Sequence, residues 1–489
     1  MSIFIFYNKL LSFLTFVTHL PDMMPLLTDS LQNQPFSIFL EYLPTKHAQL
    51  VPSCIAGYPV TMTIADRVRS DDDPEPLAIA QNYAAEIPKI LHFSGKGRDI
   101  ADFNEFIRAI QEQGYSNVLL LTGDKLKHHQ DGQDVNLPRT RYLESVNAVM
   151  QAKKLAPQIK VGVALNPFKY TKAEHDAQYF KLDKKVQAGA NYVVTQLGFD
   201  LDALKEAKQY LDKLPSCLDL FACVMPLTAA RAEFMVKHKV AGIVLTPHLL
   251  QLLKHEQSID AAIAEQNVYA RCALQILICR YWGFAGVHLS ACHKAEEQKK
   301  LEQALERFQD FSFEQCMQIW SELHQLKSGD ELKPKPDVFQ KKVSSEQTLK
   351  YKSMQFMHDS MFDSKIARSL GRKFFNPKLW SGQFANKLLM KSEYMSKHGV
   401  VGCESCGQCR LADTLYICPE TCPKGLANGP CGGTTLDRCE FGDRECIHSV
   451  KARLAEQTNQ IAILKERLID TVPIELRGTS SWVNWFNPK

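Results

Sequence analysis

The chain has 489 residues, 45% of them hydrophobic and 23% charged, which excludes wholesale disorder and leaves room for two or three domains around a large core. A formal charge of +4, with no like-charge block longer than Asp71–Asp73 and no zinc-finger, RNP or basic-helix pattern, speaks against a nucleic-acid binder. Of fifteen cysteines, seven (Cys54, Cys217, Cys223, Cys272, Cys279, Cys292 and Cys316) sit mostly in apolar runs and read as small buried hydrophobes, while eight crowd between 403 and 446. Unpaired core cysteines suit a reducing compartment, so a cytoplasmic rather than a secreted protein is expected.

The first stretch, "MSIFIFYNKLLSFLTFVTHL", is apolar, but Lys9 interrupts it and it lacks a basic n-region and a small-residue cleavage site. It is too broken to predict a membrane span. Residues 1–34 read as an amphipathic leader or extra helix, with Met23 and Met24 as alternative starts.

From residue 36 short β-rich runs alternate with helical spacing. The runs are "FSIFLEYLP" (36–44), "YPVTMTIAD" (58–66), "KILHFSGKG" (89–97), "NVLLLTGD" (117–124), "KVGVALNP" (160–167), "NYVVTQLGFD" (191–200), "DLFACVMP" (219–226) and "GFAGVHLS" (283–290). Helical segments such as "DIADFNEFIRAIQEQGY" lie between them. Strand–helix alternation predicts parallel βα units, and eight strands in this length predict a (β/α)8 barrel over 35–325. "AGIVLTP" (241–247) is a ninth strand-like piece. Polar residues collect at the run ends: Glu41, Asp66, His92, Asp124, Asn166, Gln196 and His288. In a barrel those ends share one face and one pocket.

Residues 326–400 read as a charged, Pro-broken linker, "KSGDELKPKPDVFQKKVSSEQTLKYKS", and then helices that pack the tail against the barrel. Residues 401–450 form a small cysteine-rich domain, and 451–489 a C-terminal amphipathic helix and tail. The metal candidates are Cys403, Cys406, Cys409, Cys418, Cys422, Cys431, Cys439 and Cys446. Two-residue spacing turns consecutive thiolates toward one centre. C-x2-C-x2-C with later Cys-Pro pairs is close to ferredoxin spacing, while paired thiolates also suit tetrahedral zinc. Eight thiols suffice for two four-ligand sites, or for one site with spares.

The run ends resemble those of the methylenetetrahydrofolate reductase family, flavin-dependent (β/α)8 barrels. "LEYLP", "LHF", "LLLTGD", "LNP", "KKVQAGANYVVTQLGFD", "VMP" and "GVHLS" match in order over 36–305, the sixth-strand block being the most specific. The resemblance implies an oxidoreductase interconverting 5,10-methylenetetrahydrofolate and 5-methyltetrahydrofolate by hydride transfer from a reduced flavin. It implies Glu41 as general acid, Asp124 near flavin and pterin, and Gln196 as a folate contact. Thr63, His92, Asn166 and Lys185 fall where relatives line the flavin site. FAD is the implied cofactor, with FMN the alternative. Leu43-Pro44 stands where many relatives have two prolines, and "TIADRVRSDDDP" replaces a Gly-rich turn. Arg98-Asp99 resembles an acetogen-like branch, and "CESCGQC", "CPETCPKGLANGPCGGT" and "RCEFGDREC" resemble the cysteine-rich domain associated with such reductases.

The implied tail cofactor is an iron–sulfur cluster or zinc. Tetrahydrofolate derivatives are the expected ligands, and the electron donor is either NAD(P)H or an electron-carrier protein. No G-x-G-x-x-G strand–turn–helix is present for a separate dinucleotide domain. No nucleic acid or membrane partner is expected, and homo-oligomeric assembly is compatible with the sequence. The alternative function is a flavin-independent folate-binding methyltransferase acting with a corrinoid partner.

Overall fold

All eight apolar runs become parallel strands, because each is a short β-branched or aromatic stretch closed by turn residues. The structure is a computed structural model that describes residues 36–43, 51–68, 73–125, 142–216, 218–334 and 343–488. The leader read at 1–34, Pro44 of the first-strand motif and Cys217 lie outside the described residues.

In chain order the strands are β1 (Ser37–Tyr42), β2 (Cys54–Ile55), β3 (Tyr58–Ile64), β4 (Lys89–Ser94), β5 (Asn117–Leu121), β6 (Lys160–Leu165), β7 (Tyr192–Thr195), β8 (Asp219–Val224) and β9 (Gly286–Leu289). β2 is a two-residue antiparallel hairpin arm on β3. The other eight are parallel, and β1 closes the ring by pairing with both β3 and β9. This is the (β/α)8 barrel. The ninth run forms no strand. Thr246 caps the helix Pro247–Ile259 through its hydroxyl, and Pro247 opens that helix.

Alternate residues of a strand face the same side. Inside the barrel Phe39, Ile90, Leu119, Tyr192, Val194 and Phe221 form one buried cluster, with Phe39 and Phe221 stacked at 3.9 Å between ring centroids. Small residues make the room: a Cβ on Gly162 would lie 2.1 Å from the Tyr192 ring, whose hydroxyl donates to the Val118 carbonyl at 2.9 Å. Two residues further along their strands come Glu41, His92, Gln196 and Cys223, so period two alone lifts them above this plug.

Helix starts follow local chemistry. Asp99 and Asp102 make a reciprocal capping box for Ile100–Glu112, and Thr171 and Glu174 another for Lys172–Gln187. Arg98 meanwhile bonds Asp66 at 2.6 Å and Glu75 at 2.7 Å, so the Arg98-Asp99 pair anchors the loops after β3 and β4.

Beyond the barrel two details depart from expectation. Part of the lysine-rich linker is the helix Ser345–His358, started by a Ser344–Gln347 capping box that its weak apolar periodicity conceals. The single terminal helix is two, Ile447–Thr458 and Ile461–Glu466, broken where Asn459 turns left-handed (φ 56°). Both pack on Lys172–Gln187. The helices of 345–401 pack chiefly on the cysteine-rich segment and the C-terminus, through Tyr351, Leu411, Leu415 and Tyr416. They leave Ile366, Leu370 and Phe384 exposed. Phe36 to Lys489 form one compact unit, and among the described residues no helix is long and apolar enough to cross a membrane.

Candidate functional site

Glu41, next to last in β1, is in register with Thr63 of β3. Its carboxyl is pushed up to about 6 by burial, against hydrogen bonds from the Ser290 side chain and the Ala291 backbone that pull the other way. Ser290 Oγ lies 3.5 Å from His288 Nδ1 and 3.6 Å from Cys223 Sγ. His288 Nε2 lies 3.0 Å from Thr63 Oγ1, which in turn reaches the Leu40 carbonyl. If the Thr63 hydroxyl donates to Leu40, His288 carries its proton on Nε2, and its Nδ1 is an acceptor that competes with the Glu41 carboxylate for the one Ser290 hydroxyl proton. A continuous polar chain thus runs Glu41–Ser290–His288–Thr63 across β1, β9 and β3.

His92 stands beside this chain, its ring centroid 6.0 Å from that of His288. Burial first, and the neighbouring imidazole second, push His92 down to about 3, and burial pushes His288 to about 4. Both rings are therefore neutral near pH 7. His92 Nε2 is buried with no hydrogen-bond partner among the described residues, so a polar ligand atom fits there.

The other expected residues are spread more widely. Asp124 is exposed on the loop after β5, where its carbonyl accepts from the Tyr142 hydroxyl at 3.2 Å. That loop needs Gly123: φ is +85° and a Cβ would lie 2.3 Å from Ser94 Oγ. Gln196 donates to the Ala241 carbonyl at 3.3 Å and accepts from the Leu197 amide at 2.9 Å. Asn166 gives its amide to the carbonyls of Gly242 (2.9 Å) and Gly432 (2.8 Å). Lys185 is directed at the Ala164 carbonyl, between its helix and β6, and burial pushes its ammonium down to about 7. The structure thus joins Glu41, Thr63 and His92, and sets Asp124, Asn166 and Lys185 on other contacts.

The Asn166–Gly432 bond belongs to a larger seam. Lys169 donates to the carbonyls of Gly432 and Thr434, Gln178 to that of Cys431 at 2.8 Å, and Lys181 to that of Pro430 at 3.0 Å. Glu144 accepts from the Ala427 and Asn428 amides at 3.0 Å and pairs with Lys181 at 2.8 Å. Lys424 reaches back to the Gly123 carbonyl at 2.8 Å, and Glu440 accepts from the Lys125 amide at 2.8 Å. The tail therefore sits on the β5 and β6 loops, flanking Asp124 and Asn166.

Among the cysteines, Cys403, Cys406, Cys409 and Cys418 line one pocket together with Glu393 and Lys397. Cys431, Cys439 and Cys446 each lie within electrostatic reach of Cys422. All eight are free thiols. Among the described residues, the trio of His, Cys, Asp or Glu ligand atoms found within 4.8 Å of one another is His358, Asp359 and Asp363, so no three of the thiols lie that close together.

Ser290 was legible in "GVHLS", two residues after His288 and hence on the same face. Cys223 read as plain core. Lys424, Glu440 and Glu144 left no trace in local spacing, since only the docking of the tail brings them to the barrel.

Comparison with known proteins agrees with the fold. Residues 48–306 match the family model of methylenetetrahydrofolate reductase, and 383–472 that of the methylene-tetrahydrofolate reductase C terminal. Methylenetetrahydrofolate reductase 1 of Schizosaccharomyces pombe (strain 972 / ATCC 24843) is 22% identical over 234 residues, 45% of this chain and 36% of the relative, so the match spans little more than a third of that protein. A Clostridium thermocellum protein described as binding two copies of 5-methyl-5,6,7,8-tetrahydrofolic acid overlays with a TM-score of 0.40 at 14% identity, covering 59% of this chain and all of its own. A Rhizobium etli pyruvate carboxylase gives 0.21 at 10% identity, over 82% of this chain and 45% of its own. At these scores neither structure carries weight. The barrel match covers more than half of the chain, and the chain belongs to the methylenetetrahydrofolate reductase family.

Proposed function

We propose that this protein interconverts 5,10-methylenetetrahydrofolate and 5-methyltetrahydrofolate on a bound flavin, with Glu41 as general acid. The observation that carries the reading is the polar chain Glu41–Ser290–His288–Thr63 at the barrel mouth, which sets a shielded carboxyl, pushed up to about 6, beside neutral partners. Opening the one-carbon bridge between two folate nitrogens needs a proton on the leaving nitrogen. A carboxylic acid tuned toward neutrality supplies it efficiently. Ser290 and the neutral His288 behind it offer a route for returning the proton.

Bound FAD, with FMN the alternative, would supply the hydride. The partnerless His92 Nε2, with Thr63 nearby, fits a polar edge of such a cofactor. Asp124 would stabilise the cationic iminium of the opened folate, and Gln196 would contact the pterin. In the tail we favour iron–sulfur over zinc. Three closely spaced cysteines followed by two Cys-Pro pairs fit a cubane cluster better than a ribbon-like zinc site. That choice favours an electron-carrier protein over NAD(P)H as donor.

The test is the purified, anaerobically handled protein. A flavin spectrum and folate-dependent flavin oxidation are expected. Glu41→Gln should keep the flavin while lowering turnover by about 10²–10⁴-fold. A colourless preparation that cannot be reconstituted with flavin sinks the reading, and methyl transfer persisting without flavin favours the corrinoid-linked alternative.

A further inference from the structure

Residues 364–392 hold seven basic side chains and no acidic one, in a chain whose formal charge is only +4. Within that stretch the helix Lys365–Phe374, "KIARSLGRKF", sorts its residues by face. Positions i, i+4 and i+8 put Ile366, Leu370 and Phe374 in one row. Lys365, Arg368 and Arg372 fall on the opposite side, and Lys373 stands at the row's edge. Gly371 decides which side meets the protein. It is the buried residue of this helix, and a Cβ there would lie 2.3 Å from the Phe486 ring. The apolar row is left in the open, with Ile366 75%, Leu370 61% and Phe374 62% exposed. Past the helix end the Trp380 ring stands 6.0 Å from that of Phe374, and its indole N–H donates to the Phe374 carbonyl at 2.8 Å. An amphipathic ring thus prolongs the row.

The helix Gln383–Val401 repeats the build. Leu389 and Glu393 are buried on its inner side, whereas Phe384, Leu388 and Met395 are exposed, with Lys387 and Lys391 beside them. Arg368 pairs with Asp363 at 3.0 Å, but among the described residues Lys365, Arg372, Lys373, Lys387 and Lys391 make no ion pair. Both helices therefore turn an apolar row and unpaired cations outward, the reverse of a helix whose apolar face serves the core. Contiguous exposed apolar surface of this kind marks an interaction site.

The charge selects what covers it. A second copy would set these cations against their own kind, so the occupant is anionic. The side chains protrude from convex helices, and a protein partner would need a matching pocket for each one. The acyl boundary of a bilayer accepts any such row, while anionic headgroups meet the flanking Lys and Arg and the interface suits tryptophan. We propose that the helix Lys365–Phe374, supported by Gln383–Val401, docks the protein on the surface of an anionic lipid bilayer. The helix lies on the surface and spans nothing, which revises the expectation of no membrane partner. The docking is independent of the folate chemistry proposed above.

The experiment floats the full-length protein with vesicles of phosphatidylcholine and phosphatidylglycerol in equal parts, and with vesicles of phosphatidylcholine alone. Flotation with the mixed vesicles and little with the neutral ones is expected. Raising salt from about 0.1 M to 1 M, which shortens the screening length from about 10 Å to about 3 Å, should weaken it. Residues 1–34 are themselves apolar, so the variants rather than flotation alone decide. Ile366→Ser with Leu370→Ser should lower partitioning at least about tenfold. Lys365→Gln with Arg372→Gln and Lys373→Gln should lower it about fivefold per charge removed. Leu370→Met keeps the row apolar and should float like the parent, which separates lost contact from lost fold. All five sites are exposed, so denaturation midpoint and turnover in solution should not move. Failure to float, partitioning unchanged in either multiple variant, or equal partitioning on the two kinds of vesicle overturns the proposal. Salt-sensitive binding to polyglutamate without flotation would give the face to an acidic protein, and a dimer that Leu370→Ser dissolves would give it to a second copy; either result overturns the lipid assignment.

Discussion

At the scale of single residues, Glu41 and Ser290 set the pH behaviour of the mouth. The Ser290 hydrogen bond pulls the Glu41 carboxyl down while burial pushes it up to about 6. A general acid works protonated, so folate reduction should fall as pH rises through that value. Ser290→Ala removes a downward influence and should shift this falling limb to higher pH. A limb that stays put or moves to lower pH would show that Glu41 is not the titrating acid. The same shift affects stability. A carboxyl raised from 4.5 in the unfolded chain to about 6 contributes stability present below pH 4.5 and lost as pH rises through 6. Glu41→Gln should therefore stabilise the fold above pH 7, by about 2 kcal/mol at most, measurable as a higher denaturation midpoint. His92 and His288 act in the opposite direction. Their depressed values mean that the unfolded chain takes up protons first, so stability falls as pH drops below 6.5.

At the scale of elements, the barrel interior depends on a match of small and large residues. Gly162 on β6 leaves the space that the Tyr192 ring of β7 fills, and Tyr192 in turn packs edge-on against Phe39 and Phe221. Gly162→Ala places a methyl where that ring lies, and overpacking of this kind costs about 1–3 kcal/mol. A lowered midpoint in denaturant with unchanged slope is the expected result. Gly162→Ala combined with Tyr192→Leu should recover part of the loss, which a purely backbone effect would not allow. The strands themselves were legible because each run is short, β-rich and punctuated, as "NVLLLTGD" and "KVGVALNP" illustrate. The false ninth strand, "AGIVLTP", had the right composition, but Thr-Pro at its end starts a helix. Glu41, His92 and His288 could be read from run ends because period two and strand order bring them to one face, whereas Thr63 came only with the family resemblance. Asn166 and Lys185 could not be placed the same way. Their partners, Gly432 and Ala164, are set by the docking of a distant segment and by how far a helix lysine reaches, and neither leaves a local pattern.

At the scale of the whole molecule, barrel and tail share polar groups that neither satisfies alone. Glu144 is buried against Lys181 and held below the usual carboxylate range by that ammonium and by the Asn428 and Ala427 amides, despite its burial. Lys169, Gln178 and Lys181 spend their donors on tail carbonyls between 429 and 434. Of the tail thiols, Cys431 lies within that segment, and Cys422, Cys439 and Cys446 flank it. Metal bound there would hold the carbonyls in place, and its removal should release the strap and leave these buried polar groups facing water or nothing. Chelation of the intact protein should therefore raise hydrogen exchange in residues 424–440 and also in the barrel loops at 123–125 and 166–171. The strands at the opposite wall, β1 and β9, should keep their protection, since they lie away from the seam. Glu144→Gln should mimic part of this loosening even with metal bound, because it leaves Lys181 buried without its anion, a loss of about 3–5 kcal/mol for a broken buried pair. Exchange confined to the cysteine-rich segment after chelation, with the barrel loops unchanged, would mean that the tail is held by its own core through Tyr351, Leu415 and Leu454 and only rests on the barrel.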